Sequence, residues 1–181
     1  MNHLQPQLRP ATTGDAVTIA ALSVQVFLDT YAPLGIRPDL AIEAFSNYST
    51  EAFVGRLAEP SRCFLLSEHE TGLLGFAELL LNALPAPVEN VVGAELVRLY
   101  VQPQAHRMGI GRHLLQACEL AASSRGLPFI WLTAWEGNHR ARGFYEAVGY
   151  ADIGTTTYAF QGNTYGNRVF AKQLTPIANS A

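Results

Sequence analysis

Residues 95–115 gather the side chains with the most chemistry in the smallest span: Glu95-Leu96-Val97-Arg98-Leu99-Tyr100-Val101-Gln102-Pro103-Gln104-Ala105-His106-Arg107-Met108-Gly109-Ile110-Gly111-Arg112-His113-Leu114-Leu115. The apolar run from Leu96 to Val101, broken only by Arg98, reads as a buried strand. Pro103 ends it, because proline has no N–H to give a ladder. A short polar loop leads to Gly109 and Gly111, after which Leu114, Leu115, Cys118, Ala121 and Ala122 recur at helical spacing. A strand, a glycine loop and a helix N-terminus together make an anion cradle. Outward backbone N–H groups and the positive end of the helix dipole face the ligand there. Glycine lets a pyrophosphate come close to the backbone. A phosphorylated cofactor is therefore expected at this turn.

A Gly-x-Gly pair alone does not say which cofactor. A dinucleotide-binding fold places its glycines in an early βαβ unit, with an acidic residue after the next strand. Here the glycines lie past mid-chain and follow strands that read as antiparallel, and the phosphate-binding lysine of a P-loop is absent.

The elements that position this turn follow from pattern and punctuation. Residues 7–11 read as a first strand. Thr13 or Asp15 can cap a helix carrying Val17, Ile19, Ala20, Leu22, Val24 and Phe27. Tyr31, Pro33, Gly35 and Pro38 interrupt it, and two short helices follow from Asp39 and Ser49. Phe27, Tyr31, Phe45, Tyr48 and Phe53 either pack on the sheet or form one wall of a substrate site. Residues 63–68 and 73–80 read as two strands joined by a turn at Gly72. Residues 83–90, with Pro85 and Pro87, read as a surface connection. Gly126 and Pro128 stop the cofactor helix, residues 129–135 form another buried strand, and a helix runs from Asn138 through Val148. Residues 155–160 and 168–174 form an antiparallel hairpin about Gln161-Gly162-Asn163, and residues 175–181 read as a loose tail. The order is that of an α+β domain with one parallel crossover at the glycine loop.

The totals set outer bounds. A chain of 181 residues suits one domain, and 49% hydrophobic content is ample for its core. The formal charge of −3 argues against a nucleic-acid-binding surface. Lys172 is the only lysine, so arginine carries almost all the positive charge. Cys63 and Cys118 sit in apolar contexts and read as buried free thiols, which fits a cytoplasmic setting. No run is long and apolar enough to span a bilayer, and the N-terminal ten residues lack the apolar segment of a signal peptide.

His106-Arg107-Met108-Gly109-Ile110-Gly111, followed by Leu114-Leu115, resembles the acetyl-CoA-binding signature of the GNAT superfamily of N-acetyltransferases. Asn138, Ala141, Phe144, Tyr145 and Gly149-Tyr150 match that superfamily's later motif, spacing included. Residues 8–12 with Asp15 look like its first strand and helix. The resemblance covers nearly the whole chain. It implies the GNAT fold: a mixed, mostly antiparallel sheet of about seven strands flanked by helices, in a single domain over residues 1–181. His106 is a departure, since arginine or glutamine is usual there.

The resemblance also implies the chemistry. An acceptor amine attacks the acetyl-CoA thioester directly in a ternary complex, with no metal. The amine must lose a proton, the carbonyl oxygen needs a donor, and the leaving thiolate needs a proton. By resemblance Tyr145 is the acid for the thiolate; taken without the resemblance it reads as a core aromatic like Phe144. Glu95 is the candidate base, with Glu78 and Tyr100 in reserve. Leu99 and Val101 would line the pantetheine arm through their backbone. Arg107, Met108, Gly109, Gly111 and Arg112 would hold the phosphates, and Asn138 would cap its helix and bond the arm. Arg98 is open between a substrate and a structural contact.

Residues 130–138 together with residues 27–31 look like the bacterial branch that acetylates spermidine and spermine, with Tyr31 and Glu78 as acceptor contacts. Partners would then be a small-molecule amine, neither nucleic acid nor membrane, and a second copy of the chain paired through the apolar hairpin region. The alternatives are acetylation of a protein N-terminus or lysine, and a catalytically idle CoA-binding module.

Overall fold

The computed structural model describes residues 6–175. The tail expected over residues 175–181 lies, apart from Thr175, outside the described residues. Seven strands are hydrogen-bonded in the order β1-β2-β3-β4-β5-β7-β6. They are β1 (Gln7–Pro10), β2 (Arg62–His69), β3 (Gly72–Leu80), β4 (Ala94–Val101), β5 (Phe129–Trp135), β6 (Ala151–Phe160) and β7 (Asn163–Gln173). The helices are α1 (Ala16–Tyr31), α2 (Pro38–Asn47), α3 (Thr50–Leu57), α4 (Ile110–Ser123) and α5 (His139–Ala147). This is the expected α+β GNAT arrangement. The chain divides into two compact units. One is the part up to Glu78 with Arg98–Leu115, and the other is Leu79–Val97 with the part from Gln116 onward.

In the first unit β1 pairs antiparallel with β2, from Gln7↔Glu68 to Pro10↔Leu65. Pro10 is tolerated because β1 ends the strand order, where an absent N–H costs no ladder bond. Ser49 starts α3 by accepting the Ala52 N–H at 3.1 Å. Arg9 holds the first helical turn, bonding Asp15 and Glu68 at 2.7–2.9 Å. Phe53 and Phe76 are fully buried and meet Phe64 in a three-ring core with centroids 6.1–6.4 Å apart. Gly75 on β3 has a specific reason to be glycine. A Cβ there would stand 2.8 Å from the Tyr100 carbonyl oxygen and against Val101 and Ile110. Its absence lets the end of β4 and the start of α4 close on β3.

In the second unit β4 pairs parallel with β5 through Ala94↔Ile130 and Glu95↔Trp131. Strand β5 pairs antiparallel with β7 along its full length, and β6 with β7. Strand β5 has the limits that the sequence suggests, whereas the hairpin is longer than expected. Strand β6 begins at Ala151 because an irregularity between Asp152 and Gly154 absorbs a residue that would otherwise end the strand. The connection of residues 83–90 also differs from a plain surface loop. Ala86 is buried with Trp131, Val169 and Ala171, and Ala83, Val88 and Val91 pack against that cluster. Its small apolar side chains fold it onto the sheet. Of the two thiols, Cys118 is buried as expected, but Cys63 is only half-buried.

Candidate active site

In the first unit β4 ends at Val101, ahead of Pro103, as expected. The Gln102 N–H donates to the Leu74 carbonyl at 2.8 Å and its side-chain amide to the Leu73 carbonyl at 2.7 Å, so the end of β4 is tied to β3. One 3-10 turn, Pro103–Ala105, follows. The His106 ring Nε2 lies 3.1 Å from the Val101 carbonyl oxygen. The departure from the usual arginine or glutamine thus keeps a side chain that can donate a hydrogen bond, here spent on the end of β4. Arg107 (φ +66°) and Gly109 (φ +81°) adopt left-handed backbone, a conformation that recurs in loops whose backbone amides bind anions. Arg107, Met108, Gly109 and Arg112 are exposed, and Gly111 is half-buried one residue into α4. Neither Arg107 nor Arg112 forms an ion pair among the described residues. Free amides at the start of a 14-residue helix, with two uncommitted guanidinium groups, fit a pyrophosphate.

The first unit also holds a network that no local motif signals. Glu78, fully buried, bonds Arg62 through one carboxylate oxygen and Arg98 through the other. The carboxylate expected as an acceptor contact is therefore already engaged by two arginines. The Arg98 guanidinium lies over the rings of Tyr48 and Phe53, at 5.4 and 5.9 Å from their centroids. Burial would lower the Arg98 pKa, but the Glu78 carboxylate and the Tyr100 and Tyr48 phenols outweigh it, and Arg98 stays charged. The Tyr48 and Tyr100 hydroxyls are 3.3 Å apart, and burial pushes the Tyr48 phenol well above its usual range. Rings continue from Tyr48 to Phe27 at 5.2 Å and from Phe27 to Tyr31 at 4.9 Å. Tyr31, at the end of α1, and Leu99 and Val101 on β4 are half-buried.

In the second unit, Glu95 is half-buried at the last residue pair of the β4/β5 register. Leu96 and Val97 continue β4 beyond that register. Strands that part there free backbone groups which an extended ligand arm can use. Asn138 caps α5, its Oδ1 accepting the Ala141 N–H at 3.1 Å. Tyr145 is 8% exposed, with ring centroids of Phe144, Tyr150 and Phe170 at 5.3–5.9 Å. The Tyr150 N–H donates to the Tyr145 carbonyl at 3.0 Å. Sequence patterns thus located the loop, the cap and Tyr145. They did not reveal the Arg62–Glu78–Arg98 network or the Tyr48–Tyr100 hydroxyl pair, whose members lie 16, 20 and 52 residues apart.

Fold and motifs together define a class, a CoA-dependent acyltransferase. Residues 28–150 match the acetyltransferase (GNAT) family, and the chain belongs to that family. It is similar to an uncharacterized N-acetyltransferase of Mycobacterium tuberculosis, 27% identical over 165 residues that cover 88% of this chain and 98% of the relative. Among solved structures, the PaiA N-acetyltransferase of Thermoplasma acidophilum in complex with coenzyme A shares the fold. Its TM-score is 0.73 at 21% identity, covering 94% of this chain and 99% of that one. A variant of the spermidine N-acetyltransferase SpeG of Vibrio cholerae shares it with a TM-score of 0.66 at 17% identity, covering 93% and 94%. The chain is an acetyl-CoA-dependent N-acetyltransferase. Among the described residues no group of three or more His, Cys, Asp or Glu gathers as a metal site, and no helix is long and apolar enough to cross a membrane.

Proposed function

We propose that this acetyltransferase, working as one catalytic domain, acetylates a primary amine of a small acceptor, and that polyamines are the acceptor class. The amine nitrogen attacks the thioester carbonyl carbon while acetyl-CoA and acceptor are both bound. The C–N bond forms, the C–S bond breaks, the ammonium proton passes to a base, and the thiolate takes a proton from an acid. Tyr145 is assigned as the acid and Glu95 as the base, directly or through water. Leu99 and Val101 are assigned to the pantetheine arm through their backbone, and Asn138 to the same arm besides its cap. Arg107, Met108, Gly109, Gly111 and Arg112 are assigned to the phosphates.

The observation that carries this reading is the placement of Tyr145. It is a buried phenol on a short helix capped by Asn138, in a chain of the acetyltransferase (GNAT) family. For the acceptor, the support is the ring series Tyr31–Phe27–Tyr48–Tyr100, because aromatic faces attract ammonium groups. Glu78 is assigned to holding Arg98 rather than to touching the amine, since both its oxygens are engaged. The fold shared with a spermidine N-acetyltransferase points the same way. A cytoplasmic setting and pairing of two copies through the β6/β7 hairpin belong to the same reading.

Release of free CoA thiol from acetyl-CoA tests it across spermidine, spermine, lysine peptides and aminoglycosides. Spermidine or spermine should give the highest kcat/KM. A higher value with an aminoglycoside or peptide would overturn the acceptor class. Coenzyme A binding with no turnover on any amine would overturn catalysis and leave a binding module. For Glu95→Gln the expected rate loss shrinks as pH rises, because the acceptor then deprotonates unaided. A loss that is constant with pH would remove Glu95 as the base.

A further inference from the structure

The only lysine of the chain sits where it can govern Tyr145. Lys172 Nζ donates to both carboxylate oxygens of Glu119, at 2.9 and 3.0 Å, and to the Val148 carbonyl at 3.1 Å. Val148 is the C-cap directly after α5, so the ammonium supplies a donor to a carbonyl that the helix itself leaves open. Glu119, on α4, also accepts from the Tyr150 hydroxyl at 3.1 Å. The ammonium lies 5.5 Å from the Tyr150 ring centroid. Tyr150 in turn holds Tyr145 twice, through its N–H to the Tyr145 carbonyl at 3.0 Å and through ring contact at 5.7 Å. All of these residues belong to the second unit.

We infer that the Glu119–Lys172–Tyr150 cluster is a positioning device for the proposed acid: it pins the C-terminal end of α5 and so fixes where the Tyr145 phenol stands. The inference rests on the reading of Tyr145 as the acid. A helix of nine residues is too short to hold itself in place by its own hydrogen bonds. Asn138 fixes its first turn; at the other end the Val148, Gly149 and Tyr150 N–H groups close the last turn, and Lys172 ties that turn to Glu119 on α4. Lysine suits the task because three donors on one nitrogen can serve a carboxylate and a carbonyl at once. The roles are separate: Tyr145 meets the leaving group, whereas Lys172, Glu119 and Tyr150 touch neither substrate and act through it.

The test uses the full-length enzyme with Lys172→Met, Lys172→Arg, Glu119→Gln, Tyr145→Phe and the double variant Tyr145→Phe/Lys172→Met. They are assayed with acetyl-CoA and whichever amine the wild type turns over, at a temperature where circular dichroism shows each folded. Lys172→Met and Glu119→Gln should lower kcat on the order of tenfold, with KM for acetyl-CoA within about twofold, since displacement of a reacting group acts on turnover. Lys172→Arg, which keeps donors for Glu119 and the Val148 carbonyl, should recover most of the loss. In the Tyr145→Phe background Lys172→Met should cost nothing further. Amide hydrogen exchange should quicken in α5 and Tyr150 of Lys172→Met but stay unchanged in β5. Unchanged kcat, an equal loss in both backgrounds, or unchanged exchange in α5 would overturn the positioning role. If Lys172→Met does not fold, Glu119→Gln carries the same expectations. Unchanged turnover in Tyr145→Phe alone would instead overturn the acid, and the exchange result would still decide whether the cluster holds α5.

Discussion

Each unit anchors a basic side chain on an acidic one, but at different depths and to different ends. In the first unit the Glu78 carboxylate has no exposed surface and serves two arginines, one of which lies on the aromatic rings of Tyr48 and Phe53. In the second, Glu119 and Lys172 keep 17% and 30% side-chain exposure, and their pair reaches a helix end. A dry pair cannot lose one member without stranding charge, so it sets whether the unit folds. A half-wet pair is screened and contributes little to stability, which leaves it free to set where a helix stops. The same chemistry builds a foundation in one place and an alignment device in the other.

The largest effect should come from breaking the dry pair. Glu78→Ala leaves the buried Arg98 guanidinium without its carboxylate, while Arg62 keeps Glu59, and should cost about 3–5 kcal/mol in urea unfolding. Lys172→Met should cost far less in the same experiment while still lowering turnover. Comparable losses would erase the contrast between the two units. Next in size is Gly75→Ala, whose methyl would press on the Tyr100 carbonyl at 2.8 Å. It should cost about 1–3 kcal/mol and raise KM for acetyl-CoA, because the strand end and the loop must shift together. A variant with wild-type KM would show that the closeness of β3 and β4 does not matter to the loop.

The smallest effect concerns acid. The Arg9 guanidinium holds the Asp15 carboxyl well below the usual carboxylate range, and Arg168 lowers that of Asp152. A depressed carboxylate contributes stability that is full above its unfolded pKa, about 4, and fades as pH falls through the lower folded value. Thermal unfolding should therefore show stability declining below roughly pH 4, less steeply in Asp15→Asn. Parallel curves for the two proteins would deny the linkage.

What the sequence could reveal depended on range. The glycine loop, the strand of residues 129–135 and the capped helix bearing Tyr145 are written in contiguous residues, and all three stand where local chemistry puts them. The sequence pattern marks this strand only over residues 155–160, whereas β6 begins at Ala151, with Gly154 at φ +143° in an irregularity that the ladder tolerates. The ionic and hydroxyl pairs are another matter. Glu78 with Arg98, Tyr48 with Tyr100 and Glu119 with Lys172 are joined only by folding, 20, 52 and 53 residues apart. No spacing announces them, since any charged or phenolic residue could have been the partner.

The central claim is that the Tyr145 phenol protonates the departing thiolate, and one variant addresses it most directly. Turnover and acetyl-CoA affinity of Tyr145→Phe, measured side by side by thiol release and calorimetry, should separate. The account predicts a fall in kcat of about 10²-fold or more, with the dissociation constant for acetyl-CoA changed by less than about twofold. Turnover equal to wild type would contradict it.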